Sequence, residues 1–340
     1  MRGLAGELGD EAVTKSQVVA GLLACAVCCA SMVRGEARAQ APTVQSAAKR
    51  TSFGQANLEG TWASNFILNM EATPQTPVLT VPEAQAKKIA AAFAAAIADG
   101  FDKALDPEIP GLIKLTDGLP IVRGERRTRA VVEPADGMLP YTPEARKEAE
   151  APLGSASFDN PENRPDGERC LAGLGPPPIT TTIYANRLQI LQTHDHIVLH
   201  TEYGDEVRII PFADKHGPKM FYSRLGDSIA HWEGATLVIE TIGMPDNDRI
   251  HLFPTLLVPR EGKVIERLTR VSERELLYEF TVVDPMTYAK PWRAEFSWYR
   301  TKQPMFEHAC HEGNYALPDI LAGARYEEAV AKAAAEVARP

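Results

Sequence analysis

No stretch of this 340-residue sequence reaches the about twenty consecutive apolar residues that a membrane-spanning helix needs. The longest, VVAGLLACAVCCASMV at residues 18–33, has sixteen. Basic charge is also short: 36 Lys and Arg stand against 45 Asp and Glu, a net charge of −9. That excludes the basic footprint of a nucleic-acid binder and electrostatic docking on anionic lipid. Cysteine is scarce, and three of the five residues, Cys25, Cys28 and Cys29, fall inside the apolar run. No CxxC pair lies beyond that run, so a zinc–thiolate site is not expected. There is no GxSxG nucleophile elbow, no P-loop, no GxGxxG after a strand and no HExxH. Elbow hydrolases, nucleotide chemistry and dinucleotide redox are therefore set aside, and no metal or cofactor is expected.

The apolar run is followed by RGEARAQA, in which Ala37-Arg38-Ala39 and Ala39-Gln40-Ala41 both fit the small-x-small pattern of a signal-peptidase site. Residues 1–39 are read as a secretory signal, cut after Ala39 or Ala41, giving a periplasmic or secreted protein. An uncut anchor is one alternative. Another is a lipoprotein, because Leu22-Leu23-Ala24-Cys25 resembles a lipobox that would lipidate Cys25. Residues 1–17 depart from a signal by carrying Arg2 and Lys15 against Glu7, Asp10 and Glu11. Beyond the signal only Cys170 and Cys310 remain, and an even pair in an exported chain reads as a disulfide.

What the sequence has in excess is proline, 26 residues, about 7.6% against a usual ~5%. Twelve of them crowd residues 101–178, read as a long irregular wrap with a short helix at 143–151. Before it, residues 40–57 read as a flexible leader and LEGTWASNFIL at 58–68 as a strand. An Ala-rich helix is expected at 80–99, opened by the capping box Thr80-Val81-Pro82-Glu83 and stopped by Gly100. From residue 179 the apolar period becomes two. Strands are expected at 182–192, 196–203, 206–212, 226–232, 235–242, 263–271, 275–283, 291–300 and 305–310, with short hairpin links between several of them. Hairpins without intervening helices make an antiparallel meander, and eight or nine such strands suit an up-and-down barrel or a strongly curved sheet. The tail reads as a terminal helix, within 326–340. The mature chain is thus expected as one β-barrel domain over 58–325.

Alternation assigns faces. Trp292, Ala294, Phe296 and Trp298 belong on one face of their strand, and Leu276, Tyr278, Phe280 and Val282 on one face of theirs. An eight-stranded barrel is just wide enough to be filled or to hold one small ligand. Tyr278, Tyr288, Trp292, Phe296, Trp298 and Glu202 are candidate ligand-lining residues. All eight histidines fall at 194–311. His194-x-His196 with Glu202 nearby resembles the cupin metal motif, and His196, His200 and Glu202 would share a strand face, but the spacing from the second His to Glu is longer than in cupins, and a polar strand edge is preferred. Asp227 and His231 share a face of one strand, and His216 lies in a loop at a strand end; a His beside a carboxylate is general-base chemistry. Arg208 sits mid-strand among apolar residues. It either points inward, with Glu202 as neighbour, or points outward in an ion pair, which is slightly preferred. His251 follows a polar loop.

Gly60-Thr61-Trp62 at the first strand resembles the Gly-x-Trp of lipocalin-like proteins. Longer stretches resemble a family of uncharacterised exported bacterial proteins: LEGTW at 58–62, NRPDGERC at 163–170, EYGDEVRIIP at 202–211, GDSIAHWEGATLVIET at 226–241, RLTRVSERELLYEFTVVDPMTYAKPW at 267–292 and HACHEGNY at 308–315. The resemblance implies an exported, β-rich, lipocalin-like (calycin-type) fold that retains both cysteines, and no established reaction. Three readings follow. The first is a barrel that holds a small apolar or aromatic molecule. The second is a cofactor-independent lyase, isomerase or hydrolase using His216, Asp227, His231 and Arg208. The third is an envelope protein with a filled core.

Overall fold

The computed structural model describes residues 49–64, 68–101, 118–150, 159–161, 169–171, 173, 176–181, 187–218, 223–244, 249–250, 256–257 and 262–337. They all belong to one compact unit, Val44–Pro340. The expected signal at 1–39, Cys25 and His251 lie outside them. In chain order the elements are β1 (Gly60–Ala63), β2 (Thr80–Val81), α1 (Glu83–Phe101), β3 (Ile121–Val122), β4 (Glu125–Arg127), β5 (Val131–Glu133), α2 (Pro143–Ala149) and β6 (Arg187–Gln192). There follow β7 (His196–Thr201), β8 (Glu206–Pro211), β9 (Asp227–Glu233), β10 (Thr236–Ile242), β11 (Arg249–Ile250), β12 (Leu256–Leu257), β13 (Lys263–Arg270), β14 (Glu275–Val283), β15 (Trp292–Arg300) and α3 (Ala316–Val337).

The main sheet runs β8-β7-β6-β1-β15-β14-β13-β10-β9, with every neighbouring pair antiparallel. Apart from the small sheets, this is the order of the chain wrapped around on itself, the meander expected from the hairpins. Nine antiparallel neighbours leave the two outer strands, β8 and β9, pointing the same way. Parity therefore forbids closing the barrel with another antiparallel ladder. The seam is instead bridged in parallel at Phe212 and Ala230, and Ala213 donates its N–H to the Ala230 carbonyl at 3.3 Å. The result is a nearly closed barrel-shaped sheet. β15 is longer than β1, and its first half pairs with β5 on the side that β1 leaves bare.

The inward face carries the core: Trp62, Leu188, Ile190, Ile197, Leu199, Ile210, Ala230, Leu237, Ile239, Val264, Leu268, Leu276, Tyr278, Phe280, Val282, Trp292, Ala294, Phe296 and Trp298 form one cluster. Alternation assigned the β14 and β15 members correctly, because a strand with one buried face cannot slip by one residue without turning its whole apolar set outward. One end of the barrel is closed. The Trp62 ring lies 5.6 Å from both the Arg270 and Arg300 guanidinium carbons, and Trp62 Nε1 donates to the Leu58 carbonyl at 2.9 Å. Gln192 accepts from Leu58 N–H and donates to the Ala56 carbonyl. Residues 49–57 of the expected leader are thus folded against this end, with Arg50 bridging Ala56.

The main differences from expectation come from partners distant in the sequence. Thr80 does not cap α1; it pairs with Arg127 in a small β2-β4-β3 sheet, and the helix begins at Glu83 after Pro82. That small sheet covers the outer face of β15, where Arg127 and Glu295 pair at 2.7 Å in a nearly dry contact. Residues 305–310 are not a strand. Phe306 N–H is taken by the Glu202 carboxylate at 3.1 Å, and Cys310 is bonded to Cys170 with Cα atoms 5.7 Å apart, so the segment's partners are side chains rather than a neighbouring strand. The terminal helix begins earlier than expected, at Ala316. No helix among the described residues is long and apolar enough to cross a membrane.

Candidate functional site

Toward the end of the barrel opposite Trp62, the apolar interior is interrupted by charge. On β8 the alternation places Arg208 and Ile210 inward and leaves Val207 and Ile209 exposed. On β13, Glu266 takes the inward position between Val264 and Leu268, fully buried. Arg208 Nη1 donates to Glu266 Oε1 at 3.0 Å, and Nη2 to Oε2 at 2.5 Å. Nη2 also reaches Ser228 Oγ of β9 at 3.1 Å and Thr241 Oγ1 of β10 at 3.0 Å, and these two hydroxyls lie 2.8 Å apart. Arg208 therefore reaches across the seam that backbone pairing leaves open. Tyr278 Oη donates to Glu266 Oε1 at 2.7 Å and accepts the Ile179 N–H at 2.8 Å. Ile179 belongs to the described stretch 176–181, which is buried throughout and brings the proline-rich wrap onto the cluster.

Electrostatics here follow from burial. Desolvation acts to lower the Arg208 pKa, but the Glu266 carboxylate outweighs it and holds the guanidinium above its ordinary value. Burial first, and then Glu266, push the Tyr278 phenol well above its usual range, so it remains a donor. Glu206, on the same side of β8 two residues away, adds a further negative charge that favours the guanidinium. Among inward positions of the described strands, Arg208 and Glu266 are the buried charged side chains. Arg208 Nε is shielded from solvent and has no hydrogen-bond partner.

Around this cluster stand the predicted aromatics. Tyr278 lies 5.1 Å from Phe296 and 5.6 Å from Phe280, Phe280 lies 5.6 Å from Trp292, and Trp292 lies 5.5 Å from Tyr288. Tyr288 stacks on Tyr141 at 4.8 Å, and burial pushes its phenol well up. Trp298 packs against Phe296 in the half of the barrel nearer Trp62. These five predicted lining residues form one aromatic network.

The other predicted residues do not join it. The preference for an outward Arg208 is corrected: its partner is Glu266 across the interior, not a surface carboxylate. Glu202 is not its neighbour either; it sits in the turn after β7, held by Arg187 Nη1 at 2.6 and 2.7 Å. Asp227 and His231 share a face of β9 as expected, but alternation opposite to Ser228 and Ala230 makes it the outer face. His231 is exposed beside Glu233 at 3.3 Å, while His216 Nδ1 meets Asp227 at 2.8 Å and its Nε2 faces Glu240 at 3.4 Å. Lys263 pairs with Glu240 at 2.5 Å, and its hydrogen bond, more than the contact with His216, holds that carboxyl below its usual range. His196 and His200 pair with Asp195 and Asp205 on the surface. Among the described residues no group of three or more His, Cys, Asp or Glu is arranged to hold a metal ion.

Sequence reasoning missed Glu266, Ser228 and Thr241. The signal was available: each breaks an inward apolar alternation, Val264-x-Glu266-x-Leu268, Ser228-x-Ala230 and Ile239-x-Thr241. What alternation could not supply is that three breaks on different strands meet at one Arg. Compared with protein-family models, curated proteins and solved structures, the chain matches none.

Proposed function

We propose that this is an exported binding protein that holds a small, largely apolar or aromatic molecule inside the barrel. The observation that supports this reading is the barrel's inward face, which is aromatic and aliphatic and carries one buried polar cluster. That combination suits a site where shape and burial give affinity and a few polar groups fix orientation. The signal-like residues 1–39 and the Cys170–Cys310 bond support export, since such bonds persist in oxidising compartments.

Thermal shift against aromatic and lipid-like compounds tests it. A compound at a hundred times its Kd should add about 2.7 kcal/mol of stability, and quench tryptophan fluorescence, because Trp62, Trp292 and Trp298 are interior. Stabilisation by none at high concentration would refute it. Acid–base catalysis is a second reading, favoured by the His216–Asp227 contact, and it would lie on the outer face rather than in the barrel. For any reaction found, His216→Ala should lower kcat strongly; full activity would remove that reading.

A further inference from the structure

The polar cluster constrains the chemistry of its ligand. Resting on the reading that the barrel interior is the binding site, we propose that the group received beside Arg208 is a neutral hydrogen-bond acceptor. A ketone, ester or amide carbonyl on an otherwise apolar or aromatic skeleton meets this description, and a carboxylate is excluded.

Hydrogen-bond accounting comes first. Arg208 has five N–H donors in a rigid fork. Its two terminal nitrogens are engaged by Glu266, Ser228 and Thr241. Both Glu266 oxygens are taken, Oε1 twice over, by Arg208 and Tyr278. Tyr278 Oη both donates and accepts. Of the three Arg208 nitrogens, Nε is the one with no partner at all, and it is shielded from solvent. An unmet buried donor on a charged group is costly, and supplying an acceptor recovers that cost.

Charge decides which acceptor. In most sites a buried Arg would select an anion. Here Glu266 already neutralises the guanidinium in bidentate fashion, so the buried pair carries no net charge. Tyr278 stays protonated in its buried position and contributes none. A ligand carboxylate would enter as an uncompensated anion among apolar side chains, which burial penalises heavily. A carbonyl oxygen accepts the same N–H and adds no charge.

One aromatic skeleton in four forms tests this on the full-length protein: naphthalene, acetylnaphthalene, methyl naphthoate and naphthoate, titrated at neutral pH by tryptophan quenching and calorimetry. The ketone and ester are expected to bind about ten- to a hundredfold more tightly than both the hydrocarbon and the acid, the size of one hydrogen bond to a charged donor. Arg208→Lys keeps the cation and removes Nε–H. In that variant the ketone's advantage over naphthalene, measured on the same protein, should disappear. Naphthoate binding as tightly as the ester would overturn the inference and leave the barrel reading standing, as would a ketone preference that survives in Arg208→Lys. If none of the four binds, the barrel reading fails and this inference with it. The wild-type comparison of ester and acid decides the matter even if the variant does not fold.

Discussion

Replacing Glu266 with leucine is the sharpest test of how the barrel seam is held. Glu266 is fully buried and accepts three hydrogen bonds, two from Arg208 and one from Tyr278. Leucine keeps the volume but strands a guanidinium whose remaining partners are the hydroxyls of Ser228 and Thr241. Breaking one side of a buried pair costs about 3–5 kcal/mol, because the partner's charge stays buried and uncompensated. At about 2–3 °C per kcal/mol for a domain of this size, Tm should fall by roughly 6–15 °C. Arg208→Met alone should also destabilise, leaving the Glu266 carboxylate with Tyr278. The double replacement removes both charges and should return to within about 1–2 kcal/mol of the starting protein, since an apolar pair of similar shape is often no worse than a buried ion pair. Thermal and urea unfolding followed by circular dichroism on the four proteins closes the cycle. A cost below about 1 kcal/mol for Glu266→Leu, or single costs that simply add in the double, would refute the coupling drawn here.

Three further outcomes follow. Non-reducing mass analysis should find Cys170 and Cys310 two hydrogens lighter than the reduced pair, and Cys170→Ser should cost about 4–5 kcal/mol in the chain-entropy view for a loop of that length; two freely alkylated thiols would contradict it. Burial pushes Tyr299 up to about 12 and holds Tyr278 and Tyr288 well above their ordinary value. Unfolded phenols ionise near pH 10, so from about pH 10 to 12 the folded state binds more protons and stability falls as pH rises. An ultraviolet phenolate titration should show these tyrosines ionising late, together with unfolding; early ionisation in the folded protein would contradict the burial. Gly226 opens β9 at φ +73°, and an added Cβ would lie 2.7 Å from the Ile242 carbonyl oxygen. Gly226→Ala should therefore cost about 1–3 kcal/mol, and an unchanged urea midpoint would refute that strain.

Much of the fold was legible because hairpin strands carry their evidence locally. The alternation in β14 and β15 named the buried aromatics, and the short links between β9 and β10 or β13 and β14 fixed neighbours in the sheet. The errors share a cause. Thr80 looked like a helix cap because its local partners fit one, yet Arg127, far along the chain, took it into a strand. Residues 305–310 alternate well enough for a strand, but Glu202 and Cys170 hold them elsewhere. In each, a distant partner outcompeted a local preference.

The site divides the same way. Its aromatic half was readable, since burying large rings on one strand face is a property of each strand alone. Its polar half was not. Arg208 drew notice by its place in an apolar strand, but its direction was misjudged, because one strand does not reveal whether a carboxylate faces it. Glu266 lies 58 residues on, with Ser228 and Thr241 between. The sequence alone determined a β-meander with an aromatic interior, an acidic surface and a cysteine pair. Only the tertiary structure decided that β8 and β9 meet in parallel, that their seam is spanned by a buried Arg–Glu–Tyr cluster, and that His216, Asp227 and His231 face outward. The physical reason is parity and closure: alternation gives two faces, but which face lies inside, and what stands across it, exists only once the sheet has curled round.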